Sequence, residues 1–229
     1  MHRERVEEEG VFILLHNVDV PFEKATFWAR LLLGCRDPLW GAKTGVLRTR
    51  VGYGGGKAPN PTYKKIQDHT EITQVDFDPK IVSYEELLDM FWKNHDPTFK
   101  TKTQYCSLIL YHSPEQKSLA EKTRDEFKKT SKDEVLTRIE PFETFYDAEG
   151  YHQKYHLQEH ASLLPTLGFQ KDDERLKTSH LASKINAYLV GMSTVEQFDT
   201  EVTSLGLDEE TTKYIREYNV QNQGRGMTC

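Results

Sequence analysis

The clearest pattern of apolar and polar positions lies in Val46–Val75. An apolar, β-branched run ends at Tyr53, three glycines follow it, Asn60-Pro61 marks a turn, and a second strand-like run covers Ile72–Phe77. Glycines tolerate positive φ and allow another backbone or a ligand to come close. Glu71 precedes the second run directly. The pattern predicts two strands that present Tyr53 and Glu71 on one wall, and its plainer interpretation is a long surface loop between two strands.

Two segments have the spacing and the caps of helices. In Ser83–His95, apolar residues recur on one helical face, and a serine three residues before a glutamate forms a capping box. Asp96-Pro97 then ends the predicted helix. A second helix is predicted from Pro114 to about Thr130, with Ser113 as its N-cap, because proline at the first helical position has no amide that needs a partner.

Shorter apolar runs predict further strands. They are Val11–Leu15, Thr26–Leu33, Tyr105–Tyr111 and Val135–Ile139. Strands and helices alternate irregularly, without a clean βαβ run. That order favours the α+β class, as a two-layer sandwich with a mixed or antiparallel sheet.

The C-terminal part reads as helical throughout. Beyond residues 157–169, three segments have helical spacing, and Gly191 and Gly206 are predicted to end two of them. We therefore predict an N-terminal lead over residues 1–20, a main domain over residues 21–160, and a small helical extension over residues 170–229. The extension ends in a flexible tail that carries Cys229.

Composition and charge narrow the class of partner. The 229 residues are 37% hydrophobic and 11% aromatic, with a net charge of −6 and no basic tail, so nucleic acid is not expected as a partner. The sequence has no apolar run long enough to cross a bilayer and no secretory signal. Its cysteines, Cys35, Cys106 and Cys229, are too few for a disulfide framework. We expect a cytoplasmic protein, without a membrane partner and without a metal site, because the histidines and cysteines lack zinc-ligand spacing.

Several sequence blocks, in order, resemble the peptide methionine sulfoxide reductases of the A type. The resemblance covers about residues 25–155, and the C-terminal helices with the terminal GRGMTC are similar to the extended invertebrate members. The blocks are ATF at Ala25–Phe27, GVLRTRVGYGGG with NPTY, HTE at His69–Glu71, SYEELLDMFWKNHDPT, TQYCSLILYH and FYDAEGYHQKY.

This resemblance implies a thiol-dependent oxidoreductase for protein repair after oxidation. In the family, a cysteine in a Gly-Cys-Phe-Trp-Gly motif attacks the sulfoxide sulfur. Glu71 matches the glutamate that supplies a proton to the departing oxygen, and Tyr53 and Tyr105 match the tyrosines that hydrogen-bond this oxygen. The cysteine becomes a sulfenic acid that another thiol resolves, for which Cys229 is a candidate. Thioredoxin or another dithiol would restore the enzyme, and no bound cofactor is implied.

The nucleophile motif itself is missing. Trp28–Leu33 occupies the six places of Gly-x-Gly-Cys-Phe-Trp, and Leu31 stands where the cysteine belongs. With suitable synonymous codons, a shift of one base makes these residues read Gly-x-Gly-Cys-Phe-Trp. We therefore hypothesise a frame-shifted segment, with the frame restored near Gly34. Cys35, beside Arg36, is either a makeshift nucleophile or an ordinary thiol just past the site.

Three interpretations of the function follow, the last of which is a plain structural or interaction domain in which the glycine turn and Glu71 are coincidental. The first is reduction of methionine-S-sulfoxide in proteins, peptides or the free amino acid. The second is an inactive relative that binds a sulfoxide or a partner without turnover, which the missing motif favours. A Gly-Asn-Asp element, common in the family before the position of Tyr105, is also replaced here by residues 98–103, so its aspartate has no counterpart.

Overall fold

The computed structural model describes residues 13–28 and 37–225, and within these ranges the chain forms one six-stranded mixed sheet. The sheet order is β5-β4-β1-β3-β2-β6, and the β4–β5 pair is parallel while the other neighbours are antiparallel. The strands are β1 (Glu23–Trp28), β2 (Val46–Gly54), β3 (Thr70–Phe77), β4 (Leu108–Tyr111), β5 (Arg138–Pro141) and β6 (Tyr146–Asp147). The predicted α+β class with a mixed sheet is confirmed.

The five longest of the eight α-helices in the described ranges follow the predicted order, and the three short ones were not predicted. The eight are α1 (Asp37–Gly41), α2 (Tyr84–Lys93), α3 (Pro114–Thr130), α4 (Tyr155–Glu159), α5 (Leu163–Thr166), α6 (His180–Tyr188), α7 (Val195–Glu201) and α8 (Glu209–Asn222). The predicted capping box of α2 is confirmed, since Ser83 Oγ accepts from the Glu86 amide and the Glu86 side chain accepts from the Ser83 amide. The predicted bounds of α3 and its cap at Ser113 are confirmed as well.

Helices α1 and α2 pack against the same face of the sheet. Phe27 of β1 lies at the centre of this layer, where its ring stacks on Trp40 of α1 and on Tyr84 and Phe91 of α2, with centroid distances of 4.7, 5.9 and 5.5 Å. Side chains alternate between the two faces of a strand. The face opposite Phe27 therefore carries charged pairs, such as Lys24 with Asp76 at 2.9 Å.

Four predicted elements differ from the structure, one of which is the strand predicted over Val135–Ile139, observed as β5 over Arg138–Pro141. The strand predicted over Tyr105–Tyr111 begins only at Leu108, because Thr103–Tyr105 forms a 3-10 turn. The described residues 13–15 form no strand, since the Leu15 amide bonds the Leu205 carbonyl in the C-terminal helices instead. The strand predicted over Thr26–Leu33 is observed as far as Trp28, and its remainder lies outside the described residues.

The C-terminal helices have an apolar core of their own and also contact the sheet. Ser183 of α6 accepts a hydrogen bond from the Thr49 amide of β2 at 3.0 Å, and His180 Nδ1 lies 2.6 Å from the Leu47 carbonyl oxygen. Gly191 and Gly206 follow their helices with φ of +70° and +71°, a conformation that glycine adopts without strain. None of the helices in the described ranges is both long and apolar enough to cross a membrane.

Candidate active site

The site begins with two residues that face each other across adjacent strands. Tyr53 near the end of β2 and Glu71 near the start of β3 are register partners, and both side chains are fully buried. Directly opposed residues of an antiparallel pair project from the same face of a sheet. The predicted common wall of Tyr53 and Glu71 therefore exists, and it lies on the face that carries Phe27 and the helices.

A turn from another part of the chain brings Tyr105 to this pair. Gln104 Nε2 donates a hydrogen bond to Glu71 Oε1 at 2.7 Å, and the Thr70 hydroxyl donates to the Thr103 carbonyl at 2.8 Å. Both bonds fix the 3-10 turn at the beginning of β3. The structure thus assembles Glu71, Tyr53 and Tyr105 from three separate elements.

The phenol of Tyr53 is bound to a second carboxylate. Its hydroxyl donates to Glu149 Oε2 at 2.6 Å, and Glu149 Oε1 accepts from the Tyr63 amide at 3.0 Å. Burial, this hydrogen bond and the charges of Glu149 and Glu71 raise the pKa of Tyr53 far above its ordinary value. Tyr53 is therefore a neutral phenol at every physiological pH.

Tyr105 is also held in its neutral form. It is half-buried, and burial, the charge of Glu71 and the neighbouring Tyr63 raise its pKa. His152 packs in the same aromatic group, with its ring centroid 4.8 Å from that of Tyr63 and 4.2 Å from that of Tyr151. The carboxyl of Glu71 and the carboxylate of Glu149 thus lie among phenols that can donate a proton in a hydrogen bond.

Cys106 lies at the outer edge of this group. Its Sγ is 3.2 Å from the Thr70 hydroxyl and 3.6 Å from Arg138 Nη1, and the thiol is half-buried just before β4. Cys106 falls inside the strand predicted over Tyr105–Tyr111, but the observed strand begins only at Leu108. The polar contacts of Cys106 make it a neighbour of the site instead.

The predicted nucleophile segment lies between two well-fixed ends. Trp28, the last described residue before it, pairs with Ile72, the neighbour of Glu71. Asp37, the first described residue after it, forms a buried ion pair with Lys154, with 3.0 Å between Asp37 Oδ2 and Lys154 Nζ. Cys35 and Leu31 fall between these ends and Cys229 follows Arg225, so all three lie outside the described residues.

Sequence reasoning missed Gln104 and Glu149 as members of the site. Both lie inside sequence blocks that carry the family resemblance, TQYCSLILYH and FYDAEGYHQKY. Their position in these blocks could have marked them as candidate site residues. In the described ranges, no three His, Cys, Asp or Glu side chains are grouped so that they could hold a metal ion.

Comparison with known proteins decides what this arrangement belongs to. A family model described as peptide methionine sulfoxide reductase matches residues 26–184. The chain belongs to the peptide methionine sulfoxide reductases. Membership makes the chain an oxidoreductase of the A type, whose function is the thiol-dependent reduction of methionine sulfoxide.

Individual reductases agree with this assignment. The peptide methionine sulfoxide reductase of Drosophila melanogaster is 43% identical over 218 residues, which are 94% of this chain and 87% of that protein. MsrA of Methanothermobacter thermautotrophicus is 43% identical over 58% of this chain and 86% of its own length. The solved methionine sulfoxide reductase A of Corynebacterium diphtheriae superposes with a TM-score of 0.54 and 29% identity, over 61% of this chain and 76% of that one. The predicted family is therefore confirmed for the chain as a whole.

Proposed function

We propose that Glu71 is the acid of the reduction. A thiolate sulfur attacks the sulfoxide sulfur, the S–O bond breaks, and the oxygen passes to the attacking sulfur with a proton from Glu71. The sulfoxide sulfur gains the two electrons that the thiolate sulfur loses. The products are a thioether, a sulfenic acid and the Glu71 carboxylate. The position of Glu71, fully buried and directly opposite Tyr53 in the register, is the observation that carries this proposal.

Tyr105 holds the departing oxygen in this scheme, because its raised pKa keeps it protonated and it has a hydroxyl proton to donate. Tyr53 lies opposite Glu71 as a neutral phenol whose own proton is donated to Glu149. Tyr105 reaches the site on the turn that Gln104 ties to Glu71. Preorganised donors of this kind stabilise charge that develops on an oxygen as its bond breaks.

The nucleophile comes from the segment between Trp28 and Asp37. The frame-shifted reading places its cysteine codon across Leu31 and Leu32, and Cys35 is the alternative. The environment of Trp28 supports the frame-shifted reading. Its buried indole Nε1 has no hydrogen-bond partner among the described residues, whereas buried indole N–H groups usually have one, and the shifted frame would replace this tryptophan with glycine.

The later steps of the cycle need a second thiol and a reductant. The sulfenic acid condenses with the thiol of Cys229, which releases water and forms a disulfide. Thioredoxin or a similar dithiol then reduces this disulfide by thiol–disulfide exchange. The substrates are oxidised proteins or peptides, or free methionine sulfoxide, in the cytoplasm.

The proposal is tested by dithiothreitol-dependent reduction of a methionine-S-sulfoxide peptide. Three chains are compared: the present sequence, Cys35→Ser, and a graft of Gly-Cys-Phe-Trp in place of Arg30–Leu33. We expect the graft to be active and Glu71→Gln in the graft to lower kcat by about 10²–10⁴-fold, the usual contribution of a general acid. Glu143→Gln, at an exposed glutamate, is the matched control.

The pattern across the chains identifies the nucleophile. Activity in the present sequence that is lost in Cys35→Ser assigns the role to Cys35. If the present sequence and Cys35→Ser are both inactive and the graft is active, the present sequence is an enzyme that has lost its nucleophile. An inactive graft, or a graft in which Glu71→Gln acts like Glu143→Gln, refutes the proposed site.

A further inference from the structure

Tyr53 has two carboxyl neighbours and one proton to share. Glu71 faces it across the strand register, and Glu149 accepts its hydroxyl at 2.6 Å. A phenol has one O–H, and this proton is committed to Glu149. The oxygen of Tyr53 therefore keeps its lone pairs for another donor, and in this arrangement it does not donate toward Glu71.

Glu149 is built to remain an anion. Burial alone would raise its pKa, but hydrogen bonds from Tyr53 and the Tyr63 amide, together with His152, hold the pKa below its ordinary value. His152 Nε2 lies 3.9 Å from Glu149 Oε2, and the Glu149 side chain is one-third exposed. Glu71, by contrast, is fully buried, and removal from water favours the neutral form of a carboxyl group. Two carboxyl groups in such different environments tend to divide the roles of acid and base between them.

We propose that Glu149 is a positioning residue for the reduction: it holds the proton of Tyr53 and places a fixed negative charge beyond that phenol, so that Glu71 is kept as the protonated acid. This inference rests on the proposed role of Glu71 and extends it. The like charge of Glu149 opposes ionisation of Glu71, and the free lone pairs of Tyr53 favour a donor opposite them. Glu149 does not touch the substrate in this scheme and acts through Tyr53.

Within the described ranges, the titratable groups around this pair come from four different elements. They are Tyr53 on β2, Tyr105 on the 3-10 turn, Tyr63 on the loop before β3, and Tyr151 and His152 on the 3-10 turn after β6. The raised pKa values of Tyr53, Tyr105 and Tyr151 keep these phenols neutral, whereas the lowered pKa of Glu149 keeps this carboxylate charged. A change at Glu149 is thus the direct way to alter the field at Glu71.

Infrared spectroscopy of the present chain reads the protonation of Glu71 directly. The carbonyl stretch of a protonated, buried carboxyl group is recorded against pH, and its assignment to Glu71 is made by its loss in Glu71→Gln. In Glu149→Gln, we expect this band to vanish at a pH lower by on the order of one unit, as the loss of one nearby like charge predicts. Glu149→Asp, which keeps the charge, is expected to restore the original midpoint, and Glu143→Gln to leave it unchanged.

The pH dependence of the enzymatic rate is a second measure of the same titration midpoint. The alkaline limb of kcat/KM of the active chain, where Glu71 loses its proton, should move with the infrared midpoint. In Tyr53→Phe, where the link between the two carboxyl groups is cut, Glu149→Gln should shift the midpoint less than in the wild type.

Glu149 could instead be a structural clamp on the Tyr63 loop, and the results separate the two roles. A clamp predicts lower stability or a uniformly lower rate with an unmoved midpoint, and that outcome overturns the inference. If Glu149→Gln leaves the midpoint unchanged while Glu71→Gln abolishes activity, the inference fails and the proposed function stands. If the band is absent at every pH, Glu71 is not the acid and both fail.

Discussion

Removing the buried ion pair between Lys154 and Asp37 tests whether this pair anchors the chain beside the site. Lys154 is 0% exposed and Asp37 is 1% exposed, with 3.0 Å between their charged atoms. Lys154 Nζ also donates to the Thr49 carbonyl at 2.6 Å. The substitution Lys154→Met keeps the length of the side chain and removes the charge. The backbone at this position has φ of +49°, but methionine and lysine bear the same strain there, so it cancels in the comparison.

The expected cost follows from the charge that is left behind. Among the residues that the structure describes, Asp37 Oδ1 has no hydrogen-bond partner, and after Lys154→Met the carboxylate keeps the Asn186 amide alone, at 3.4 Å. Removing one partner of a buried pair costs about 3–5 kcal/mol, which for a chain of this size lowers Tm by roughly 10 °C. Lys93→Met is the matched control, because its pair with Asp89 is exposed and contributes less than about 1 kcal/mol.

Urea denaturation of the wild type and of four variants checks this prediction. Asp37→Asn should cost less than Lys154→Met, because burial lowers the pKa of Lys154 and a neutral amine can still donate to Thr49. Its stability should rise with pH below 10.5, since the unfolded lysine there binds more protons than the folded one. The double variant should recover part of the loss of Lys154→Met. If Lys154→Met costs no more than Lys93→Met, the pair does not anchor this region and the reasoning is wrong.

Two further outcomes follow from other parts of the fold. Burial and the charge of Lys24 lower the pKa of His112 to about 4. Between pH 6.5 and pH 4 the unfolded chain therefore binds more protons than the folded chain, so the free energy of unfolding should fall as the pH falls through that window. His112→Asn should flatten this slope in urea denaturation recorded at several pH values. Gly206→Ala places a Cβ 2.0 Å from the Ile13 carbonyl oxygen at φ of +71°, so it should destabilise the chain by at least about 1 kcal/mol, and a melt equal to that of the wild type would contradict this close approach.

Local signals account for the elements that the sequence predicted well. Helix α3 begins at Pro114 after Ser113 and α2 has its capping box, because caps depend on residues a few positions apart. The strand that begins at Leu108 rather than Tyr105 was missed for the opposite reason. Its first residues are held as a 3-10 turn by the bond from Gln104 to Glu71, a tertiary contact between distant segments.

The site shows the same division. Tyr53 and Glu71 were predicted to share a wall because strand alternation and a glycine turn are visible in the sequence. The Glu149 contact was not predictable in this way, because its partner Tyr53 lies 96 positions earlier and no periodicity links them. The hydrogen bond from the Thr49 amide of β2 to Ser183 of α6 joins residues that are far apart in the sequence, so no local pattern predicts it either.

The fixed ends of the segment between Phe27 and Asp37 have a consequence for how such a protein would persist in a cell. Phe27 is held by its ring stack and Asp37 by its ion pair, and neither belongs to the six residues that occupy the places of the family motif. A chain with an inert segment there would still fold and resist proteolysis, since quality control responds to unfolding rather than to lost turnover. Normal abundance of this protein would therefore say nothing about whether it repairs methionine, and a defect would become visible only under oxidative load.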